Sequence, residues 1–251
     1  MAIEIFQPGP PGERVRGHGD GPKATIHRLP RRSDRRSHTL FMALQREIVL
    51  GILAPKSVLL ELDLADRFEC SQSTVREALL QLQEEGLVTR MPHRATHVVD
   101  CLDADARELL RLRHDIECRG VPRAMERLDQ GLRDGLREDI EAMRTAAVQG
   151  DEYGLSVHDR QFHLRLFGAA DLPSVQPILG RCLIHNHRYK ILNSQPNRAL
   201  METAERHFAI TEALESGSAE KVQAALSHHI STIVDFGPSI INGPPVVAGR
   251  P

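Results

Sequence analysis

Residues 103–236 carry the pattern that constrains the fold most. Apolar side chains recur there at helical spacing from end to end, and no stretch alternates as a strand would. Short breaks, most of them containing Gly or Pro, divide the region into six predicted helices, near 103–128, 132–149, 151–168, 172–194, 197–216 and 218–236. Consecutive helices with short connections pack against each other in antiparallel fashion, so the sequence predicts an all-α antiparallel six-helix bundle.

The preceding region, residues 37–100, is shorter and mixed in character. Helical spacing, a serine cap and glycine stops predict three helices followed by two β-prone runs, at 38–50, 61–68, 72–85, 87–91 and 96–100. Residues 92–95 join the two runs as a hairpin tip. This order is that of a winged helix-turn-helix, and the fold class predicted for the whole chain is therefore mainly α.

The two ends differ from the core in composition. Residues 1–36 and 237–251 are rich in Pro and Gly and poor in apolar anchors, which predicts a flexible arm and a flexible tail. The arm is basic, with Arg31, Arg32, Arg35 and Arg36 close together. Residues 1–99 carry a net charge of +2 and residues 100–251 a net charge of −4. A basic N-terminal part on an acidic remainder is compatible with a nucleic-acid-binding module attached to a regulatory body.

Cysteine usage and hydropathy bear on location. The four cysteines are scattered without a CxxC pair, which fits a reducing cytosol better than a disulfide framework. Mean hydropathy is −0.31, and apolar runs fall short of the ~20 residues that a membrane helix needs. The sequence predicts a cytoplasmic protein with no membrane association.

The segment LADRFECSQSTVREALLQLQEEGLV, from Leu64 to Val88, resembles the DNA-binding signature of the GntR family of bacterial transcription regulators. The agreement in residue type and spacing covers more than 20 consecutive positions. The resemblance departs from the family pattern at Gln72, where Arg is usual, and at Ala95, where Gly is usual. Because Gln can read adenine, the first departure predicts an altered operator preference.

The third predicted helix supplies most of the DNA-contact candidates. Its N-terminal end exposes short polar side chains and free backbone N–H groups, which suit phosphates or base edges. The candidates are Ser71, Gln72, Ser73, Thr74 and Arg76, with Arg94 at the hairpin tip as a wing contact. Two other interpretations stay open: Ser71 is only an N-cap, and Arg76 pairs with Glu77 or Glu47 on a solvated surface.

Three bundle helices place ionisable side chains on their apolar faces. Asp159 and His163 are four residues apart and so share one helical face. His207 lies on an inner stripe, and in the last helix His229 lies on such a stripe while its neighbour His228 falls beside it. Imidazole and carboxylate ligands without thiolate suit Zn, Ni, Mn or Fe. The alternatives are core histidines with ordinary partners and an Asp–His salt bridge within the helix.

Two more histidines, His185 and His187, stand close together in the fourth predicted helix. Their spacing of two residues sends them to different faces, so at most one of them joins such a site. Both are equally compatible with a structural role or with lining a pocket.

Residues 103–236 resemble the FCD effector domain of the FadR-like branch of the GntR family, and their six helices resemble its VanR-type subgroup. The matching features are Arg113-x-x-x-Glu117, Asp159-x-x-Phe162-His163, Glu205-Arg206-His207 and Ala224-Ala225-x-x-x-His229-Ile230. The resemblance implies that Asp159, His163, His207 and His229 bind a divalent metal ion and that Arg113, with the metal, binds a small carboxylic acid. The alternative for Arg113 is a surface cation paired with Asp115 or Glu117.

The sequence thus predicts a non-enzymatic, ligand-responsive transcription regulator, a repressor in its simplest form. It would bind double-stranded operator DNA as a homodimer, with one helix-turn-helix on each half-site. A small carboxylic acid effector would change its operator affinity. Two alternatives are a metal-dependent enzyme with a DNA-binding appendage and a regulator with a purely structural metal.

Overall fold

The computed structural model describes residues 32–90, 95–193, 199–234, 236 and 240–241. The N-terminal domain begins with helix α1 (Arg32–Val49), followed by α2 (Glu61–Arg67) and α3 (Gln72–Glu84). Its small antiparallel sheet has the order β1-β3-β2, formed by β1 (Val58–Leu59), β2 (Val88–Thr89) and β3 (Thr96–Val98). The predicted winged helix-turn-helix is confirmed, with β1 as an addition that the sequence did not indicate.

Helix α3 is held by its cap and its apolar face. Ser71 Oγ accepts a hydrogen bond from the backbone N–H of Thr74 at 3.2 Å, which satisfies a donor that the first turn leaves free. Val75, Leu79 and Leu82 are fully buried in one cluster with the apolar face of α1. The opposite side of α3 is thereby left to solvent.

The C-terminal domain is helical throughout its described part. Its helices are α4 (Asp103–Glu126), α5 (Gln130–Val148), α6 (Glu152–Gly168), α7 (Gln176–Asn193), α8 (Leu200–Glu205), α9 (Phe208–Glu215) and α10 (Ala219–Ser231). The fold class is confirmed, but the fifth predicted helix is divided into α8 and α9. At the division the N–H of His207 bonds to the carbonyl of Ala204 at 3.3 Å, three residues back, a tighter turn than an α-helix makes.

Helix α4 runs through Pro122 as one element. A proline lacks the N–H that would bond to the carbonyl four residues earlier, here that of Cys118. Gln223 of α10 takes over this role, since its side-chain amide donates to the Cys118 carbonyl at 2.9 Å. This hydrogen bond from a neighbouring helix replaces the lost one and helps to keep α4 continuous at a residue that usually kinks a helix.

The structure describes a few residues of each predicted flexible end. Helix α1 begins at Arg32 and so includes the last residues of the predicted arm 1–36, while residues 1–31 lie outside the described residues. In the predicted tail 237–251, Ile240 is buried against Leu110 and Ile230, and its carbonyl accepts from Arg111 Nε at 2.8 Å. Within the described ranges, no helix combines the length and apolar character needed to cross a bilayer.

The two domains share a packed junction. Tyr153 of α6 and Ile184 of α7 are buried in the core of the N-terminal domain. Gln45 of α1 accepts from the Tyr153 hydroxyl at 2.6 Å and donates to Glu85, just beyond α3, also at 2.6 Å. From α7, Arg188 donates to the Val99 carbonyl at 2.7 Å. The bundle helices α6 and α7 therefore support the N-terminal domain directly.

Candidate metal centre and nucleic-acid interface

The four predicted metal ligands come together in the bundle. One ligand atom from each of Asp159, His163, His207 and His229 lies within 4.8 Å of all the others, and all four residues are buried. Helix α6 brings Asp159 and His163, the α8–α9 division brings His207, and α10 brings His229. The neighbouring His228 is exposed, so the choice between the two by helical periodicity agrees with the structure.

Two of the histidines are oriented by bonds on the side away from the cluster. His163 Nδ1 lies 2.6 Å from Glu117 Oε2, and His207 Nδ1 lies 3.1 Å from the Ala204 carbonyl. Both acceptors can only take a proton, so each Nδ1 donates and each Nε2 carries the lone pair. Nε2 of both residues has no hydrogen-bond partner within the described structure. Such outer bonds are the usual means of aiming histidine ligands at a metal.

Arg113 is wholly buried, contrary to the alternative of a surface cation, although its predicted pairing with Glu117 is present. Its Nε donates to Glu117 Oε1 at 2.6 Å. Its two Nη atoms have no partner in the part of the chain that the structure describes. A buried guanidinium with two unused nitrogens is an arrangement suited to a bidentate carboxylate.

Electrostatics in the site favour ionised Glu117 and Asp159 and neutral His163 and His229. Burial raises the pKa of Glu117, but His163 and Arg113 outweigh it and bring that pKa down to about 2. Burial likewise opposes ionisation of Asp159, yet His187 and His207 hold its pKa well below the usual range. Burial lowers the pKa of His163 and, with the neighbouring His207 and His163, lowers that of His229 strongly. Neutral imidazole and ionised carboxylate are the forms that bind metal.

The residues present fit a divalent metal ion. Buried polar atoms without partners are costly, and here Nε2 of His163 and His207 and both ring nitrogens of His229 are in that condition among the described residues. Three imidazoles and one carboxylate suit the borderline metals predicted from the sequence. Four protein donors leave positions open on an octahedral ion.

The two additional histidines of α7 separate as their spacing predicted. His185 Nε2 lies 3.0 Å from the backbone carbonyl of Glu85 and belongs to the domain junction. His187 is buried, with Nε2 at 2.9 Å from Asp159 Oδ1. Burial lowers the pKa of His187 to about 4 despite the opposing effect of Asp159. Of the pair, His187 is the one at the site.

The DNA-contact candidates lie at the start of α3. Ser71, Gln72 and Ser73 are exposed, and Ser71 is also the N-cap, so its capping role leaves its side chain accessible. Thr74 differs from the prediction, because it is buried and its hydroxyl lies 2.9 Å from Ser71 Oγ. Its side chain stabilises the turn and is not presented to DNA. Arg94 lies outside the described residues.

Arg76 is 57% exposed and pairs with Glu61, rather than with Glu77 or Glu47. Its Nε donates to Glu61 Oε2 at 2.7 Å, and Arg90 Nη2 donates to the other oxygen at 2.9 Å.

Sequence reasoning missed the roles of Glu117 and Arg90. Glu117 occurred in the Arg113-x-x-x-Glu117 motif, but as the partner of a surface cation. Its four-residue spacing from Arg113 does signal a shared helical face. Its bond to His163 joins α4 to α6 and has no local signal. Arg90 lies at the end of β2, and its pairing with Glu61 depends on tertiary contact alone.

Comparison with known proteins gives matches on both domains. A model of bacterial regulatory proteins, gntR family, matches residues 37–98, and a model of the FCD domain matches residues 108–232. The HTH-type transcriptional repressor RspR of Escherichia coli (strain K12) is 26% identical over 198 residues, which covers 77% of this chain and 85% of that protein. The uncharacterized HTH-type transcriptional regulator BphR of Paraburkholderia xenovorans (strain LB400) is 29% identical over 212 residues, or 77% of this chain and 82% of that one.

Among solved structures, E. coli McbR/YncC superposes with a TM-score of 0.65 at 23% identity, covering 78% of this chain and 93% of that chain. This similarity concerns the fold. The two family models extend over the winged helix-turn-helix and the bundle in turn, and the relatives match along most of their length. The chain belongs to the gntR family of bacterial regulatory proteins, carries an FCD domain, and is a transcriptional regulator.

Proposed function

We propose that this regulator is an operator-binding homodimeric repressor whose bundle holds a divalent metal ion and a small carboxylic acid. Asp159, His163, His207 and His229 would bind the metal, which supplies positive charge and open coordination positions for the acid. The observation that carries the proposal is the set of inward-facing buried atoms without partners, together with the two unused Nη atoms of Arg113.

Each protein group has a defined task in this proposal. Glu117 holds Arg113 and His163 at once, through 2.6 Å bonds to its two oxygens. It fixes the guanidinium beside the metal ligands and keeps His163 in the tautomer whose lone pair is free for the metal. Both Glu117 oxygens are thereby occupied, so Glu117 is poorly placed as a general base for an enzymatic reaction. The regulator role is accordingly favoured over a metal-dependent enzyme.

We propose repression rather than activation because the similar protein RspR is named a transcriptional repressor. The proposed DNA contacts are Ser71, Gln72, Ser73, Arg76 and Arg94. Effector binding would alter how α6 and α7 support the DNA-binding domain. Such coupling is reciprocal, so operator DNA should weaken acid binding by the factor by which the acid weakens DNA binding.

Thermal unfolding of metal-loaded and chelated protein against a panel of small carboxylic acids tests the site. We expect one acid to raise Tm in the metal-loaded protein only, in proportion to the logarithm of its concentration well above Kd. The variant Arg113→Lys keeps the cation but lacks the guanidinium fork, so it should lose this shift. Arg111→Lys, on the same helix, is the matched control. If no acid shifts the loaded protein, the carboxylic acid effector is contradicted, and a structural metal or a non-carboxylate effector becomes the better explanation.

DNA binding is tested separately with the double variant Arg76→Ala, Arg94→Ala. We expect loss of operator binding with unchanged metal content, because the two sites lie in different domains. Retained operator binding would contradict the assignment of the reading helix and wing. The acid that raises Tm in the unfolding experiment should be recovered unchanged after incubation with the metal-loaded protein. Its turnover would instead establish the enzyme alternative.

A further inference from the structure

His187 stands apart from the four proposed metal ligands. It comes from α7, which supplies none of them, and it is only 5% exposed. Its Nε2 lies 2.9 Å from Asp159 Oδ1, and neither ring nitrogen has an aligned hydrogen-bond partner among the described residues. A buried imidazole nitrogen at hydrogen-bond distance from a buried carboxylate oxygen can donate a hydrogen bond to it.

The chemistry of the two groups fixes the direction of this contact. An ionised carboxylate can only accept, so the His187 nitrogen that approaches it must carry the proton. The other carboxylate oxygen, Oδ2, lies 3.4 Å from His207 Nε2. Oδ1 also lies 3.7 Å from His163 Nε2, but His187 Nε2, at 2.9 Å, is closer to it.

We propose that His187 is a positioning residue for Asp159: its Nε2–H engages Oδ1 and leaves Oδ2 as the oxygen offered to the metal. This inference rests on the proposed metal centre. In this proposal His187 orients the metal ligand Asp159, just as Glu117 orients the metal ligand His163. Such partners commonly change metal affinity 10- to 100-fold when removed.

The contact between His187 and Oδ1 affects how many coordination positions remain for the effector. With Oδ1 held by His187, Asp159 gives the centre one donor atom and the protein gives four in all. An octahedral ion then keeps two positions for the acid. Without His187 the carboxylate is free to chelate through both oxygens, which removes one of those positions.

The test compares four substitutions by titration of the full-length, chelated protein with Co²⁺, followed by visible absorption. His187→Gln places an amide donor near the Nε2 position, whereas His187→Asn is too short to reach Asp159 and His187→Ala has no donor. His185→Ala is the control, since His185 lies two residues away and faces the domain junction. Circular dichroism establishes that each variant is folded.

We expect Co²⁺ affinity to fall at least tenfold in His187→Asn and His187→Ala, to stay within about threefold of wild type in His187→Gln, and to be unchanged in His185→Ala. The absorption spectrum should change in the first two variants only. Wild-type affinity in His187→Asn overturns the inference. Equal weakening in His187→Gln and His187→Asn also overturns it, because His187 would then be a ligand itself. A wild-type protein that takes up no Co²⁺ instead overturns the proposed metal centre.

Because an alanine variant can lose stability for other reasons, the inference has a second test in the Asp159→Asn background. If His187 acts through Asp159, His187→Gln and His187→Asn should differ in Co²⁺ affinity only when Asp159 is present. The same difference in both backgrounds would show that His187 acts independently of Asp159.

Discussion

Two glutamates, one in each domain, make the same type of bridge in different surroundings. Glu61 joins Arg76 and Arg90 at the proposed DNA-reading helix α3, and Glu117 joins Arg113 and His163 in the bundle. The side chains of the first bridge are 23–57% exposed, whereas those of the second are 0–2% exposed. Water and salt screen the first set of charges, but they do not reach the second.

This difference in burial determines what each bridge can do. The exposed Arg76 and the partly exposed Arg90 lose little when they leave Glu61, so we expect both to be available to DNA phosphates. The buried bridge cannot be broken without leaving an uncompensated charge inside the bundle. It therefore keeps Arg113 and His163 in place whether or not a ligand is present. The bundle has a preorganised site and the reading helix an adaptable surface.

Removal of the two glutamates should give the largest contrast. Glu117→Leu leaves Arg113 and His163 without their partner and should lower the free energy of unfolding by about 3–5 kcal/mol. Glu61→Leu should lower it by less than about 1 kcal/mol. Urea unfolding of the chelated proteins measures both. Equal losses would mean that burial does not separate the two bridges.

Acid should destabilise the bundle through its neutral histidines. The pKa of His187 is about 4 in the fold and about 6.5 in the unfolded chain. Between these values the unfolded chain binds a proton that the folded chain does not, so stability falls as pH falls. For His187 alone the loss is roughly 2 kcal/mol from pH 7 to pH 5.

Protonation of Glu117 also destabilises the fold, but at a lower pH. The pKa of Glu117 is about 2 in the fold, below the usual value near 4.3. Its contribution is present above pH 4.3 and is lost as pH falls toward 2. Urea unfolding of chelated protein from pH 7 to pH 3 tests both groups. His187→Gln should flatten the upper part of this profile only. A wild-type profile that is flat between pH 7 and pH 5 would contradict the depressed histidine pKa.

Arg76→Ala tests the availability of the exposed arginine. We expect operator affinity to fall about tenfold and the slope of log affinity against log salt to decrease by about 1, as for one lost phosphate contact. Stability should change by less than about 1 kcal/mol. Arg46→Ala, which removes a cation that pairs with Asp151 of the bundle, is the control. Fluorescence anisotropy at several salt concentrations distinguishes the two.

The smallest expected effect belongs to Glu61→Gln. This variant keeps an acceptor but removes the charge that competes with DNA for Arg76 and Arg90. Operator affinity should rise about two- to threefold, in keeping with the modest strength of an exposed ion pair. Weaker binding would instead mean that Glu61 orients the arginines for DNA, and the two bridges would then be alike in function.

The sequence predicted those features that depend on neighbouring residues, such as helix ends and the buried face of each helix. The cap at Ser71 and the stop at Gly86 bound α3 to within a residue, and helical periodicity selected His229 over His228. Inward placement on three helices brought the four proposed ligands to one point. The face on which each of these residues lies depends on spacing within its own predicted helix.

Features that depend on distant segments escaped prediction. Strand β1 has two residues and exists because β3 pairs with it, and Gln223 supports α4 from another helix. Ile240 lies in a Pro/Gly-rich segment and is nevertheless buried against α4 and α10. The division at His207 and the contact between His187 and Asp159 likewise arise from packing between elements.

Helix α7 has almost no solvent-facing side in its middle. Between Cys182 and Arg188 every residue is buried except the partly buried His185, with Ile184 in the N-terminal core and Leu183 in the bundle core. Opening this turn would expose both cores at once. Its amide hydrogens should therefore exchange with solvent only through global unfolding, and the two domains should melt as one cooperative unit.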